Sequence, residues 1–281
     1  MSTLQSYTSG TRPAASANSG LCIFRSDTNS IEVSDGTDWL AYASDGTNFG
    51  DNSYVAELNG TNQYLTLGDV SGTLGGGGVS KCTISWWMKQ PAITSPTYRR
   101  VWQMSHTYND NLWAFWNTSN WIFGVGTGSN GYVSMRTSGT STIDDNQWHL
   151  WTLVYDGTQS SNTTKVVLYK DNAAQTIAND SGGTIATSLP SGTGDEPHIG
   201  ALYINNAVSQ YSDASFDDFA IFNDALTSTQ ISNIYDNQIY PTSLQHLYRL
   251  ENNVNDSVGS ANGTQVNSPI TNTPSSPQFP Y

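Results

Sequence analysis

The sequence predicts an all-β protein, an antiparallel β-sandwich with a small β-hairpin unit at its N-terminus. The clearest stretch, residues 148–155, alternates between two faces that are both apolar, and the turn pair Asp156-Gly157 ends it. A strand that is apolar on both faces is covered on both sides, so this run is the expected central strand of a sandwich. Only residues 227–237 show a convincing helical pattern, and one short helix cannot cover a sheet.

Residues 1–50 predict the small unit and a linker. Two strand patterns, at 20–28 and 31–39, are separated by a turn, and Trp39 closes the second pattern. A single hairpin is too small to bury a core of its own. The expected division is therefore a hairpin unit at 1–50, a sandwich at 51–240 and a C-terminal segment at 241–281.

The sandwich is expected to begin near residue 53. Period-two patterns bounded by turn residues predict strands near 53–58, 63–67, 82–89, 99–105, 111–116, 120–125, 131–136, 148–155, 164–170, 197–203 and 216–223. The helix at 227–237 follows, with Thr227 and Gln230 as a capping box and Pro241 as the block to its continuation.

Five segments of this region match one family pattern in order. They are residues 58–65 (Leu-Asn-Gly-Thr-Asn-Gln-Tyr-Leu), 83–89 (Thr-Ile-Ser-Trp-Trp-Met-Lys), 148–157 (Trp-His-Leu-Trp-Thr-Leu-Val-Tyr-Asp-Gly), 168–172 (Leu-Tyr-Lys-Asp-Asn) and 216–227 (Phe-Asp-Asp-Phe-Ala-Ile-Phe-Asn-Asp-Ala-Leu-Thr). Together they resemble the laminin-G-like domains of the concanavalin A-like jelly rolls, which implies a lectin-like jelly roll. Asn172 stands where the family usually has Gly, and Asn can replace it because Asn tolerates the left-handed conformation.

The N-terminal unit carries a second resemblance. Thr11-Arg12-Pro13, residues 20–28 and residues 31–39 are similar to a segment near the N-terminus of bacteriophage tail-fibre and other virion proteins. This resemblance implies a bacteriophage virion structural protein that attaches to other virion proteins through residues 1–50. Any hairpin packed on a sandwich would give a similar pattern, so that alternative stays open.

The charge of the chain limits its partners. A net charge of −13 and a pI near 4.3 disfavour nucleic acid and anionic membranes. The first residues have neither a basic region nor an apolar run, and no stretch reaches the ~18 apolar residues of a transmembrane helix. We therefore expect no membrane insertion, assembly in the host cytoplasm and residence in the virion.

Catalytic motifs are not expected. Glycosidases on this fold place paired carboxylates a few residues apart on one strand, whereas the glutamates of this chain are scattered. Asp217 and Asp218 are adjacent and should point to opposite faces of a strand. His149 lies in the predicted central strand, where a hydrogen-bonded structural imidazole is the simpler interpretation. A non-enzymatic protein is the expectation, with a glycoside hydrolase as a lesser alternative.

A binding role remains. Aromatic rings offer apolar faces on which sugar rings stack, and neighbouring amides supply hydrogen bonds. The densest cluster lies between residues 102 and 121, and its candidate glycan-binding residues are Trp113, Trp116, Asn117 and Trp121. Alternating tryptophans on sandwich strands are also typical of a core, and the sequence leaves both possibilities open.

The C-terminal segment supplies a candidate calcium site. Residues 247–264 resemble the opening strand of a laminin-G-like domain, so they either complete the same sandwich as a permuted first strand or pair with a neighbouring subunit. Related jelly rolls bind calcium between the corresponding Asp, here Asp256, and the strand that holds Asp217 and Asp218. A hydrated turn without metal is the alternative. Residues 265–281 are expected to form a mobile or partner-bound tail.

Together these interpretations predict a bacteriophage virion protein: a capsid decoration, a head fibre or a tail appendage. It would be a homo-oligomer and would display its jelly roll to a host-surface glycan. The alternative is a capsid-stabilising protein that has no ligand.

Overall fold

The computed structural model describes residues 5–8, 10–26, 30–34, 36–37, 39–42, 54–74, 78–93, 98–104, 112–117, 120–127, 131–138, 143–192, 197–237 and 239–272. The largest elements are two antiparallel sheets that pack face to face, and a smaller sheet is built on the N-terminal strands. The architecture is the predicted all-β sandwich.

The N-terminal unit is larger than the predicted hairpin. Its strands are β1 (Ser6–Tyr7), β2 (Cys22–Arg25), β3 (Ser30–Ser34) and β4 (Trp39–Tyr42). The expected hairpin is the antiparallel pair β2–β3, with β1 added in parallel on one side and β4 on the other. A small core holds the unit together, since Ile23, Trp39 and Ala15 are buried against one another.

The remaining strands follow the predicted pattern closely up to residue 222, except that the short strands at 173–174, 177–179 and 207–209 were not predicted. They are β5 (Tyr54–Glu57), β6 (Tyr64–Thr66), β7 (Lys81–Lys89), β8 (Arg99–Gln103), β9 (Leu112–Asn117), β10 (Asn120–Gly126), β11 (Tyr132–Thr137), β12 (Trp148–Asp156), β13 (Val166–Lys170), β14 (Ala173–Ala174), β15 (Ile177–Asn179), β16 (His198–Ile199), β17 (Leu202–Ile204), β18 (Ala207–Ser209), β19 (Ser215–Phe222), β20 (Tyr240–Pro241), β21 (Leu244–Tyr248), β22 (Thr264–Val266) and β23 (Ile270–Asn272).

Two eight-stranded sheets form the sandwich. The back sheet has the order β14-β13-β12-β7-β19-β5-β23, with β21 also paired to β19, and the front sheet has the order β15-β11-β10-β9-β8-β16-β6-β22. The strand β12 is central, as predicted. Its residues Trp151, Leu153 and Tyr155 face the front sheet, while Leu150 and Val154 face the opposite side.

The described residues contain three short α-helices, α1 (Ser71–Leu74), α2 (Asn162–Lys165) and α3 (Ser228–Asn237), and a 3-10 helix at Ala15–Ala17. The predicted capping box begins α3, since the Thr227 hydroxyl accepts the Gln230 N–H and the Gln230 side chain accepts the Thr227 N–H. Ile231 and Ile234 of α3 pack on the outer face of the back sheet. Within the described ranges, none of the helices has the length and hydropathy of a membrane span.

Tryptophan rings fill the space between the two sheets. Trp86 of the back sheet meets Trp102 and Trp121 of the front sheet edge to face, at centroid distances of 5.5 and 5.7 Å. Trp121 also contacts Trp116 at 5.9 Å and Trp151 at 4.8 Å. Offset and edge-to-face contacts add to the free energy gained by burying these large rings.

The C-terminal segment completes the sandwich of its own chain. Strand β21 pairs with β19, β22 pairs with β6, and β23 pairs with β5. Of the two alternatives, closure within one chain is therefore the observed one. The predicted tail from residue 265 is wrong for residues 265–272, because β22 and β23 lie in the sheets, and residues 273–281 lie outside the described residues. The predicted boundary at 240/241 falls inside β20, which pairs with β4 of the N-terminal sheet.

Replacing a ring of this core should be costly. Trp121→Ala leaves a cavity where a side chain with 0% exposure was packed, so we expect a loss of about 3–5 kcal/mol in the free energy of unfolding. Urea denaturation measures the loss. The matched control is Tyr132→Ala on the neighbouring strand β11, which removes a 44% exposed ring and should cost less than about 1 kcal/mol. Equal losses in the two variants would contradict the burial of Trp121.

Candidate functional site

The aromatic cluster singled out in the sequence is divided between the two faces of the front sheet. Along β9, Leu112, Ala114 and Trp116 point between the sheets, so the alternate residues Trp113, Phe115 and Asn117 point outward. The period of two thus separates residues that seemed to form one cluster.

Two of the candidate glycan-binding residues are core residues. Trp116 is 2% exposed and Trp121 is 0% exposed, and both belong to the main core. They lie directly opposite each other on β9 and β10, and directly paired residues share one face of a sheet. The prediction that Trp116 and Trp121 contact a glycan is therefore wrong. Trp113 and Asn117 lie on the outer face.

The Trp113 indole lies flat across strand β10. Trp113 pairs with Gly124 in register, and a Cβ atom at Gly124 would lie only 2.3 Å from the indole ring. The missing side chain provides the space that the indole occupies. The ring extends across β10 and meets Tyr132 of β11 at 5.3 Å, edge to face. Only 2% of Trp113 is exposed, so it supports other rings instead of presenting its own face.

Four rings form a continuous line on this surface, which we call the aromatic row: Tyr98, Phe115, Trp113 and Tyr132. Tyr98 contacts Phe115 at 5.5 Å, and Phe115 is stacked beside Trp113 at 5.3 Å. The two ends of the row are open, with Tyr98 57% and Tyr132 44% exposed. The aromatic row therefore presents two exposed rings that are supported by two packed ones.

Arg100 fixes the middle of the aromatic row. Its guanidinium lies 5.3 Å from the Trp113 ring and 5.2 Å from the Phe115 ring, and the residue is 1% exposed. Cation–π contacts of this kind strengthen when the pair is desolvated. The two supporting rings are thus held in a single orientation.

A two-stranded hairpin, β17–β18, stands beside the aromatic row. The Gln103 side chain of β8 donates to the Tyr203 carbonyl at 2.6 Å and accepts the Tyr203 N–H at 3.1 Å. Tyr203 stacks on His198 of β16 at 4.8 Å. The hairpin is therefore fastened to the outer face of β8 and β16 and forms a wall next to the row.

Sequence reasoning missed the two exposed rings. Tyr98 lies just before β8, and Tyr132 is the first residue of β11, after Gly131. Both positions are single tyrosines at strand ends, outside the tryptophan-rich stretch that attracted the prediction. Their positions next to glycine or at strand starts give only a weak sequence signal.

The predicted calcium site does not fit a cation. Both oxygens of the Asp256 carboxylate are occupied by hydrogen-bond donors: the N–H groups of Leu247, Val258 and Gly259 on Oδ1, and the Ala261 N–H and the His246 imidazole on Oδ2. Calcium takes oxygen ligands, whereas N–H donors supply positive partial charge. The bridge Tyr248–Asp256 also places β21 between Asp256 and strand β19, which holds Asp217 and Asp218.

Asp217 and Asp218 are buried near Tyr240 and not near Asp256. They lie at an irregularity of β19, where Asp218 has a φ of 40°. Burial, followed by the neighbouring Asp218 and Asp217 carboxylates, holds the pKa of Tyr240 well above its usual value. Among the described residues, no group of three or more His, Cys, Asp or Glu side chains is placed to hold a metal. The proposed ligand set Asp256, Asp217 and Asp218 is therefore not assembled.

His149 has the structural environment that its strand position suggested. One ring nitrogen bonds Asp171 at 2.5 Å and the other bonds Asp145 at 3.0 Å. Burial lowers the pKa of His149, but the hydrogen bonds to Asp171 and Asp145 outweigh it and raise the pKa overall. The imidazole joins the loop before β12 to the turn after β13. In that turn Asp171 and Asn172 have φ values of 49° and 63°, so Asn172 does adopt the left-handed conformation.

Comparison with known families identifies the sandwich. Residues 59–232, more than half of the chain, match the family model Laminin_G_3, described as concanavalin A-like lectin/glucanases superfamily. No curated protein sequence matches the chain significantly.

Solved structures with a similar fold share little sequence with this chain. A candidate carbohydrate binding protein from Bacteroides ovatus ATCC 8483 has a TM-score of 0.53 at 13% identity, covering 89% of this chain and 74% of that one. A heptameric SAP-like pentraxin from Limulus polyphemus has a TM-score of 0.44 at 13% identity, covering 76% and 95%. Domains LG4-5 of the mouse laminin alpha1 chain have a TM-score of 0.43 at 13% identity, covering 70% and 46%. The first of these likenesses shows the fold alone.

The Asp256 network predicts a specific loss of acid stability. Burial raises the pKa of Asp256, but the bonds from His246 and the backbone N–H groups lower it to about 2. A carboxyl whose folded pKa is depressed stabilises the protein above its unfolded pKa and loses that effect as the pH falls toward the folded value. Asp256→Asn should therefore cost about 2 kcal/mol near pH 7, and the difference from wild type should shrink between pH ~4 and ~2.

Thermal unfolding measured across that pH range tests this expectation. The matched control is Asp236→Asn, which changes an exposed carboxylate of α3 and should have a small effect at every pH. A constant difference between Asp256→Asn and wild type down to pH ~2 would show that the carboxylate charge is not the cause.

Proposed function

The chain belongs to the concanavalin A-like lectin/glucanases superfamily, and on that premise we propose that it binds a carbohydrate through the aromatic row of its front sheet. The observation that carries the proposal is the pair of exposed rings, Tyr98 and Tyr132, at the two ends of that row. Apolar ring faces attract the C–H faces of sugars in water, because their contact removes apolar surface from solvent.

The support beneath the exposed rings favours binding. Trp113 packs against Tyr132, and Phe115 packs against Tyr98. Arg100 contacts both of these supporting rings. A surface that is ordered before the ligand arrives loses less conformational entropy on binding. Tyrosine suits such a surface, because it combines a large rigid ring with a hydroxyl that forms hydrogen bonds.

Polar groups near the row can orient a sugar. Asn117 is half-buried on the outer face, at the end of β9 next to Asn120 of β10. Amide groups both donate and accept, which matches the hydroxyl groups of a sugar ring. Of the original candidates, Asn117 is therefore kept as a direct contact, and Trp113 as a supporting residue.

We propose that the aromatic row binds its carbohydrate ligand without hydrolysing it. A glycosidase needs two carboxyl groups placed on either side of the scissile bond. Two acidic residues, Asp180 and Asp213, are each paired with an arginine, Arg136 at 3.8 Å and Arg99 at 3.2 Å. Within the described part of the chain, neither is paired with another carboxylate in the way that a retaining or inverting site requires.

We further propose that the chain is a bacteriophage virion structural protein that displays the jelly roll on the particle. The resemblance of residues 11–39 to N-terminal segments of virion proteins supports this role. The outer face of the N-terminal sheet also supports this role, because it pairs Cys22 with Val33 and Phe24 with Ile31. Ile31 is 39% exposed, so this apolar face is suited to contact other virion proteins or further copies of the chain.

The first test removes the exposed rings. Tyr98→Ala and Tyr132→Ala should each weaken binding to host-surface polysaccharide about tenfold, because each loses one ring–sugar contact, while the melting temperature stays close to that of wild type. Calorimetric titration with glycans selected on an array measures the affinity. The control Val258→Ala removes an equally exposed apolar side chain outside the row and should bind normally. Full binding by the Tyr98→Ala, Tyr132→Ala double variant would exclude the aromatic row, and a lack of any glycan binding by wild type would favour a purely capsid-stabilising role.

The second test concerns attachment. A chain lacking residues 1–50 keeps every strand of the two large sheets, so it should fold as a soluble jelly roll and still bind glycan, yet fail to enter virions. The measurement is whether particles purified from cells that express the truncated chain contain that chain. Normal incorporation would show that attachment does not depend on this unit.

A further inference from the structure

Three side chains that are distant in sequence form a connected array at the edge of the sandwich. The Thr73 hydroxyl lies 2.8 Å from Nε2 of His246, and Nδ1 of the same imidazole lies 2.7 Å from Oδ2 of Asp256. Thr73 belongs to α1, His246 to β21, and Asp256 to the loop that pairs with Tyr248. A hydroxyl, an imidazole and a carboxylate are thus joined in series.

The proton positions in the array follow from its electrostatics. Burial opposes the ionisation of Asp256, but the bonds from His246 and the backbone N–H groups hold its pKa at about 2, so it is ionised near neutral pH. An ionised carboxylate only accepts hydrogen bonds, so Nδ1 of His246 must carry the proton between them. In a neutral imidazole the other nitrogen, Nε2, then has a lone pair and accepts the Thr73 hydroxyl proton.

Two glycines shape the surroundings of this array. A Cβ atom at Gly259 would lie 2.5 Å from Asp256 Oδ2 and 2.9 Å from His246 Nδ1, so the missing side chain leaves room for the imidazole–carboxylate contact. A Cβ atom at Gly72 would meet nothing within 4 Å, and Thr73 is only half-buried. The carboxylate end is therefore enclosed, whereas Thr73 at the hydroxyl end is only partly buried.

We propose that Thr73, His246 and Asp256 form an acyl-transfer site that accepts small carboxylic esters. A hydroxyl bonded to an imidazole that a buried carboxylate orients is the arrangement that activates an oxygen nucleophile. The site lies apart from the aromatic row, and its activity does not depend on glycan binding.

The reaction balances with water as the only co-reactant. Thr73 Oγ1 attacks the ester carbonyl carbon while its proton passes to His246 Nε2, and the C–O bond to the alcohol breaks as that proton moves to the leaving oxygen. An acyl-Thr73 ester remains. Water then attacks the same carbonyl, gives a proton to His246, and releases the carboxylic acid as Thr73 recovers its proton. Asp256 keeps its charge throughout and orients the imidazole.

The experiment treats the intact chain with p-nitrophenyl acetate and follows two readouts: p-nitrophenol release, and an acetyl group on Thr73 located by peptide mass spectrometry. We expect both in wild type. Thr73→Val, which keeps the shape and removes the hydroxyl, should lose the adduct and slow release about 100-fold or more, as should His246→Gln. The matched control Thr158→Val removes a hydroxyl that is bonded to a carboxylate without an imidazole and should behave as wild type.

A purely structural hydroxyl–imidazole–carboxylate clamp gives a different result. It would lower the melting temperature of Thr73→Val without any acetyl adduct in wild type, and that outcome overturns the proposal. If Thr73→Val loses both stability and adduct, Thr73→Ser decides, because it restores the hydroxyl. An acetyl group at position 73 of the Thr73→Ser variant supports the site, and its absence overturns it. Release that is equal in wild type and Thr73→Val also overturns the proposal.

Discussion

The contact between indole rings of opposite sheets is the interaction on which the rest of the structure depends. Trp86 of the back sheet meets both Trp102 and Trp121 of the front sheet. Rings of this size and rigidity allow the sheets to pack in few positions, because a small slide would open voids that the interior cannot refill. The same contact fixes the strands that carry the residues of the outer face. Trp113 is thereby placed over Gly124, and the rings of the aromatic row are held in line.

Much of the fold could be predicted from local patterns. The longer strands between β5 and β19 and the helix α3 were placed within a few residues, since alternation and turn residues act over short distances. The two- and three-residue strands β14, β15 and β18 were not predicted. Strands β20 to β23 were harder to predict, because each contains only two to five residues and is stabilised by pairing with a strand far away in sequence. The register of a strand such as β23, which pairs Ile270 with Ala56, depends on tertiary contacts that no local window contains.

The candidate sites show a sharper limit. Composition located the aromatic stretch, but the period of two places Trp113 and Trp116 on opposite faces, and only the pairing of β9 with β10 decides which face is core. The exposed tyrosines were missed because exposure depends on what packs nearby. Within the array of Thr73, His246 and Asp256, the first two residues are 173 positions apart, and a lone threonine in a glycine-rich stretch carries no motif. The predicted calcium ligands Asp256, Asp217 and Asp218 do not come together, because a family motif fixes the carboxylate and not the donors around it.

The pairing of β20 with β4 has a consequence for the order in which the protein is made. Pro241 faces Leu40 in this pair, so the small N-terminal sheet lacks its last strand until nearly the entire sandwich has left the ribosome. At ~5–20 residues per second, that delay is on the order of 10–40 s. During it, the edge of β4 has open backbone N–H and C=O groups, which invite pairing with other strands. A chain that stops early keeps this edge uncovered, so the finished N-terminal sheet marks a chain whose sandwich has been synthesised.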